Sequence, residues 1–191
     1  MSKAVTAVSD SAFTMRFAVR EDAAALLEIY EPFVRETAIT FEYDVPTAEQ
    51  FADRIEKYGS NYPFLVCEEG GRIVGYAYAH RHQERAAYGW SAELSVYVRL
   101  GCEGRGIGRL LYSELLRLLR LQGVQSVYAA IALPNDASVE FHRRFGFELV
   151  GTWHNTGYKL GEWHDIVWYE LALGGHDTPP PSFRSIGEVL G

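Results

Sequence analysis

Five consecutive residues, Gly104-Arg105-Gly106-Ile107-Gly108, place glycines at alternate positions between a strand-like run and an amphipathic one. Glycine adopts positive φ readily and lets backbone approach a ligand closely. A helix starting here offers unpaired N–H groups and a partial positive charge, the requirements of a phosphate site. Arg105 and Arg109 add cations beside it. A P-loop is excluded, because Ile107-Gly108 stand where the pattern begun at Gly101 needs Lys and Ser/Thr. The dinucleotide pattern G-x-G-x-x-G also fails, since its last position falls on Arg109 or Leu111. On the glycines alone, a turn without a ligand is the competing reading.

Upstream, Glu93 is a lone carboxylate in the otherwise apolar and aromatic run from Tyr88 to Val98. Burial beside Trp90 raises a carboxyl pKa toward the range of a general base. An outward-facing strand position is the plain alternative. Downstream, Asn135 has the side chain of a helix N-cap. Cys67 and Cys102 are the only cysteines and form no CxxC pair, which excludes a disulfide framework and a cysteine zinc site. No base is evident beside either thiol for an acyl-enzyme route, so direct attack in a ternary complex is the simpler expectation.

The elements that position these groups follow from periodicity. Phe13 to Arg20 reads as a strand, and Glu21-Asp22 opens a helix striped by Leu26, Ile29, Tyr30 and Val34. Thr47-Ala-Glu-Gln50 is a capping box for a second helix that stops at Gly59. Phe64–Glu68 and Ile73–Ala79 form a hairpin about Gly70-Gly71. Tyr88–Val98 is a longer strand leading to the glycine turn, and the helix that follows carries Ile107, Leu111, Leu115 and Leu118 before Gly123. Val127–Leu133, a short helix from Asn135 to Phe145, and strands Glu148–Trp153 and Asp165–Leu171 complete the chain. The alternation predicts a mixed α/β sheet. Residues 1–12 are expected to be a flexible leader, 13–173 the domain, and 174–191 a loose tail containing Pro179 to Pro181.

Composition sets the outer limits. The 191 residues are 48% hydrophobic and carry a formal net charge of −7, enough for one sizeable core and unlike a nucleic-acid binder. No signal-peptide pattern or bilayer-length apolar run is seen, so a cytoplasmic protein without membrane or metal partners is expected.

The chain resembles the GNAT acetyltransferases, whose motif of Gln or Arg, two residues and Gly-x-Gly follows a strand. Within them it is similar to the phosphinothricin and methionine-sulfoximine N-acetyltransferases. The resemblance runs from Met15 to Leu173 and rests on Thr37-Ala-Ile-Thr-Phe-Glu42, Gly75-Tyr-Ala-Tyr-Ala79, Tyr88-Gly-Trp-Ser-Ala-Glu-Leu-Ser-Val-Tyr-Val98, Leu133-Pro-Asn-Asp-Ala-Ser-Val139 and Gly161-Glu-Trp-His-Asp165. It implies a mostly antiparallel central sheet flanked by helices, acetyl-CoA as co-substrate, a small amino-acid acceptor, a homodimer, and a link to antibiotic resistance. Glu103 departs from the motif by standing at its Gln/Arg position. A carboxylate there disfavours a pyrophosphate, so backbone N–H groups and Arg105 or Arg109 are expected to hold it, with Glu103 turned to solvent.

The resemblance also implies roles. Val96, Tyr97 and Val98 pair with the pantetheine arm as an added strand, and the N–H of Leu94 or Ser95 is an oxyanion donor. Glu93 takes the amine proton and His142 assists proton transfer, a surface helix histidine being the bland alternative for the latter. Asn135 and Ser138 touch the cofactor or cap their own helix. Arg85 and Tyr88 meet the acceptor's anionic head, with Phe41, Tyr78 and Lys159 as further candidates. A non-catalytic acyl-CoA sensor and a peptide N-acetyltransferase are the rival functions.

Overall fold

The computed structural model describes residues 12–191; residues 1–11, most of the expected leader, lie outside that range. Seven strands form one sheet in the order β1-β2-β3-β4-β5-β7-β6. They are β1 (Phe13–Phe17), β2 (Phe64–Glu69), β3 (Arg72–Arg81), β4 (Ser91–Val98), β5 (Ser126–Ala132), β6 (Glu148–Lys159) and β7 (Glu162–Ala172). Only β4 and β5 run parallel. The helices are α1 (Ala23–Glu36), α2 (Ala48–Gly59), α3 (Ile107–Gln122), α4 (Asp136–Arg144) and α5 (Ile186–Leu190).

Each face of the sheet has its own core. Leu26, Ile29 and Val34 of α1 and Phe51 and Ile55 of α2 pack on Phe64, Tyr76 and Tyr78. Leu111, Leu115 and Leu119 of α3 pack on the opposite face with Leu65, Ala77, Leu94 and Val127. Alternating side chains of β3 and β4 therefore go to different chemistry. Ala92 and Leu94 enter the α3 core, while Glu93, Ser95 and Tyr97 face α1 and α2. The capping box of α2 forms as its sequence requires, with Thr47 accepting from the Gln50 N–H at 3.2 Å and Gln50 from the Thr47 N–H at 2.8 Å. Gly75 allows α3 to lie close, since a Cβ there would stand 2.9 Å from Ile107.

Three expectations are corrected. The strand placed at Tyr88–Val98 starts at Ser91, because Ala86–Tyr88 coil into a 3-10 turn ahead of Gly89. The last two strands are much longer than their apolar cores suggested and turn at Leu160 and Gly161, both with positive φ. The tail is not loose over its final residues. Ile186 is buried in the α3 core, Phe183 packs on Tyr62, and Gln122 donates to the carbonyl oxygens of Asn61 and Arg184. Pattern alone missed this because one buried isoleucine and backbone acceptors carry the contact.

Candidate active site

The parallel pairing of β4 and β5 covers only Ser91–Glu93 against Ser126–Tyr128. Beyond Glu93 the two strands part. A cleft opens there, lined by Leu94, Ser95, Val96 and Tyr97 of β4, Ala129 to Ala132 of β5, Asn135, Ser138 and His142 behind them, and Ile39 from the loop after α1. The β5-facing backbone edge of β4 has no strand partner over this length, so it can accept an extended ligand by strand addition. Val96, Tyr97 and the carboxamide of Asn135 are thus brought together, although they lie far apart in sequence.

The glycine turn stands beside this cleft. Gly101, Gly104 and Gly106 have φ of 82, 73 and 86°, and Gly106 is the N-cap of α3. Gly108 packs under Phe141 and Val98, where a Cβ would lie 3.4 and 3.7 Å away. Arg109 is exposed on the first turn of α3. Arg105 points elsewhere: its guanidinium binds Glu69 at 2.5 and 2.9 Å and lies over Phe13. Glu103 is exposed and accepts the Gly101 N–H at 2.7 Å. It thereby helps to close the turn.

Glu93 sits at the point where the strands diverge, opposite His80 on β3 and Tyr128 on β5. Its side chain keeps 23% of its surface exposed. The Trp90 indole N–H donates to Pro181 O at 2.6 Å. The neighbour that approaches Glu93 is His82, whose Nδ1 lies 3.5 Å from Oε2. His82 was not a sequence candidate. The signal was present as an aromatic at every second position, Tyr76, Tyr78, His80 and His82, which puts all four on the Glu93 face.

His142 lines the cleft but is only 4% exposed. Its Nδ1 donates to the Ser138 carbonyl oxygen at 2.8 Å, and its Nε2 therefore accepts from the Tyr112 hydroxyl at 2.9 Å. Burial pushes its pKa below the ordinary 6.5, against the opposing pull of that carbonyl. The imidazole is neutral with both nitrogens occupied. These contacts join α4 to Tyr112 of α3 at the back of the cleft. Asn135 caps α4 by accepting the Ser138 N–H at 3.2 Å.

The acceptor candidates divide. Tyr78 is buried and stacks on Tyr58 and Phe64, and desolvation holds its hydroxyl pKa well above the phenolic range. Arg85 and Tyr88 are exposed on the turn before β4. Phe41 and Lys159 make contacts across the fold. Lys159 is 3% exposed and donates to Thr40 O at 2.7 Å. Phe41 packs against Gly157 and faces His164, and Tyr43 donates to Tyr158 O. Together they fasten the loop after α1, which carries Ile39 into the cleft, onto the β6–β7 hairpin. Arg54 was not a sequence candidate, yet it pairs with Glu42 at 2.6 Å and lies over the Tyr30 and Phe51 rings.

A split sheet with a glycine turn at a helix start beside it suits an extended, phosphate-bearing ligand, and comparison with known proteins gives the class as acetyltransferase. The GNAT acetyltransferase domain model matches residues 15–168, and the chain belongs to that family. It is an acetyltransferase with acetyl-CoA as co-substrate. The unpaired β4 edge, the positive-φ glycines and the helix start fit that cofactor's pantetheine arm and phosphates. A phosphinothricin N-acetyltransferase of Streptomyces viridochromogenes is 36% identical over 92% of this chain and 95% of its own length. An L-methionine sulfoximine/L-methionine sulfone acetyltransferase of Salmonella typhimurium is 34% identical over 87% of this chain and 98% of its own. Among solved structures, a GNAT superfamily phosphinothricin acetyltransferase from Sinorhizobium meliloti in complex with AcCoA superposes with a TM-score of 0.85. It is 35% identical and covers 90% of this chain and 94% of its own.

Proposed function

We propose that this enzyme acetylates the α-amino group of a small amino acid of the phosphinothricin or methionine-sulfoximine type, by direct attack in a ternary complex. Acetyl-CoA supplies the thioester acetyl group. The backbone edge of β4 from Leu94 to Val98, the glycine turn, Arg109 and Asn135 hold it. The observation that carries the reading is the position of Glu93 at the apex of the β4–β5 split, on the face lined by Tyr78 and His80. A carboxylate there reaches an amine brought to the mouth of the cleft and takes its proton. Cys67 does not compete as an acyl carrier: it is buried, and desolvation pushes its thiol up to about 11.

Arg85 and Tyr88, exposed beside the mouth, supply a cation and an aromatic wall for the acceptor's anionic head. Detoxifying an antibiotic amino acid in the cytoplasm fits such a substrate. Among the described residues no helix is long and apolar enough to cross a membrane. A homodimer is supported by Leu149, Val150, Trp153, Leu160 and Trp163, all exposed on β6, β7 and their turn. A thiol-release assay with phosphinothricin, methionine sulfoximine and methionine sulfone tests the proposal. Turnover of at least one is expected. Tight acetyl-CoA binding without turnover of any amino-acid amine would refute the substrate assignment.

A further inference from the structure

His82 lies just past the end of β3, in the turn that leads to β4. Its ring is held on two sides. It stacks on Tyr128 with centroids 4.4 Å apart and planes 20° apart, and meets Trp168 edge-on at 5.5 Å. A ring so fixed has little freedom to choose partners. Its Nδ1 is buried and has no hydrogen-bond partner, and Glu93 Oε2 is 3.5 Å away. The side chain as a whole keeps 17% of its surface exposed. The other groups facing this pair are His80, in register with Glu93, and Tyr128, in register on β5. His80 is turned away, stacked on Tyr58 with its Nδ1 2.9 Å from Arg81 O.

We infer that His82 carries the amine's proton from Glu93 onward to solvent. This rests on Glu93 acting as the base. Of the three protons of an acceptor ammonium, one stays on the amide nitrogen, one leaves with the thiol and one must reach water. That third proton passes from the nitrogen to Glu93 and from Oε2 to Nδ1 of His82. The imidazolium so formed gives up its Nε2 proton to water, and water-mediated exchange of the remaining proton from Nδ1 to Nε2 restores the accepting tautomer before the next turnover. Glu93 is thereby returned to the carboxylate before the next turnover. The unpartnered, buried Nδ1 is the feature this route needs, because a lone pair already engaged could not accept.

The test compares His82→Ala, His82→Asn and Glu93→Gln by steady-state kinetics, with folding checked by circular dichroism and thermal melting. Asn offers an amide nitrogen near the Nδ1 position and packs in the same space, but cannot pass a proton. We expect His82→Ala and His82→Asn each to lower kcat by about 10-fold or more, with the KM for acetyl-CoA unchanged, and added imidazole to restore His82→Ala in a concentration-dependent way. Wild-type kcat in His82→Ala overturns the inference. So does full recovery in His82→Asn, which leaves only positioning, and so does a folded His82→Ala that imidazole fails to rescue. If Glu93→Gln is itself fully active, the assignment of the base fails. If Glu93→Gln is slow while His82→Ala is not, only the relay fails.

Discussion

The Nε2 atom of His142 accepts a hydrogen bond from the Tyr112 hydroxyl at 2.9 Å, joining α4 to α3 through a wholly buried pair. Ser138 fixes the tautomer from the other side. The native imidazole is neutral, and desolvation holds its pKa below 6.5. In the unfolded chain it takes up a proton at a higher pH than in the native one. Stability from this site is therefore complete above about pH 6.5 and is lost as pH falls toward the lower folded value. Urea midpoints between pH 5 and 8 should decline on the acid side, and His142→Gln should decline less steeply. Equal slopes in the two proteins would place the acid sensitivity elsewhere.

Glu93→Gln keeps the shape of the side chain and removes its basicity. A loss of about 10²–10⁴ in kcat is expected if this group takes the amine proton, with acetyl-CoA binding preserved because the cleft below it is unchanged. Isothermal titration with acetyl-CoA alongside the rate measurement separates the two. Near-normal rates from pH 6 to 9 would remove Glu93 from the mechanism.

Gly106 caps α3 with φ at 86°, a conformation that costs an L side chain about 1–2 kcal/mol. Gly106→Ala should lower the melting temperature by several degrees and raise the KM for acetyl-CoA more than it alters kcat. A Cβ there meets no atom within 4 Å of the protein itself, so any excess loss of cofactor affinity reports contact with the ligand. An unchanged KM would separate the turn from cofactor binding.

Lys159→Ala removes the donor to Thr40 O and opens space beneath the loop after α1. Losing such a hydrogen bond costs about 0.5–1.5 kcal/mol. Hydrogen exchange over residues 37–47 should accelerate in this variant, while the α3 core stays protected. Protection equal to wild type in that loop would show that Phe41 and Tyr43 hold it alone.

Much of the architecture is legible in the chain itself. The capping box at Thr47, the Gly70-Gly71 hairpin and the leucine stripe of α3 are local patterns, and each dictates its own element with short-range chemistry. The alternation in β4 likewise separates Leu94 from Glu93, since successive strand residues face opposite sides. The glycine turn announces an anion site because positive φ and a helix start are local properties.

Partnership was decided only by the fold. Arg105 and Arg109 are equivalent in sequence, but β2 brings Glu69 against Arg105 and leaves Arg109 exposed. His142 looks available until Tyr112, 30 residues away, occupies its second nitrogen. Lys159 donates to Thr40 O from 119 residues away, a contact no local pattern announces. Glu93 was legible as an isolated carboxylate and His82 as the last of the alternating aromatics from Tyr76, whereas their approach to 3.5 Å was set only when β3, β5 and β7 closed around the ring. The sequence determines which groups can do chemistry and which local shapes carry them. Which remain free to do it depends on contacts between distant segments, and those are set by how the strands pair and where β4 and β5 part.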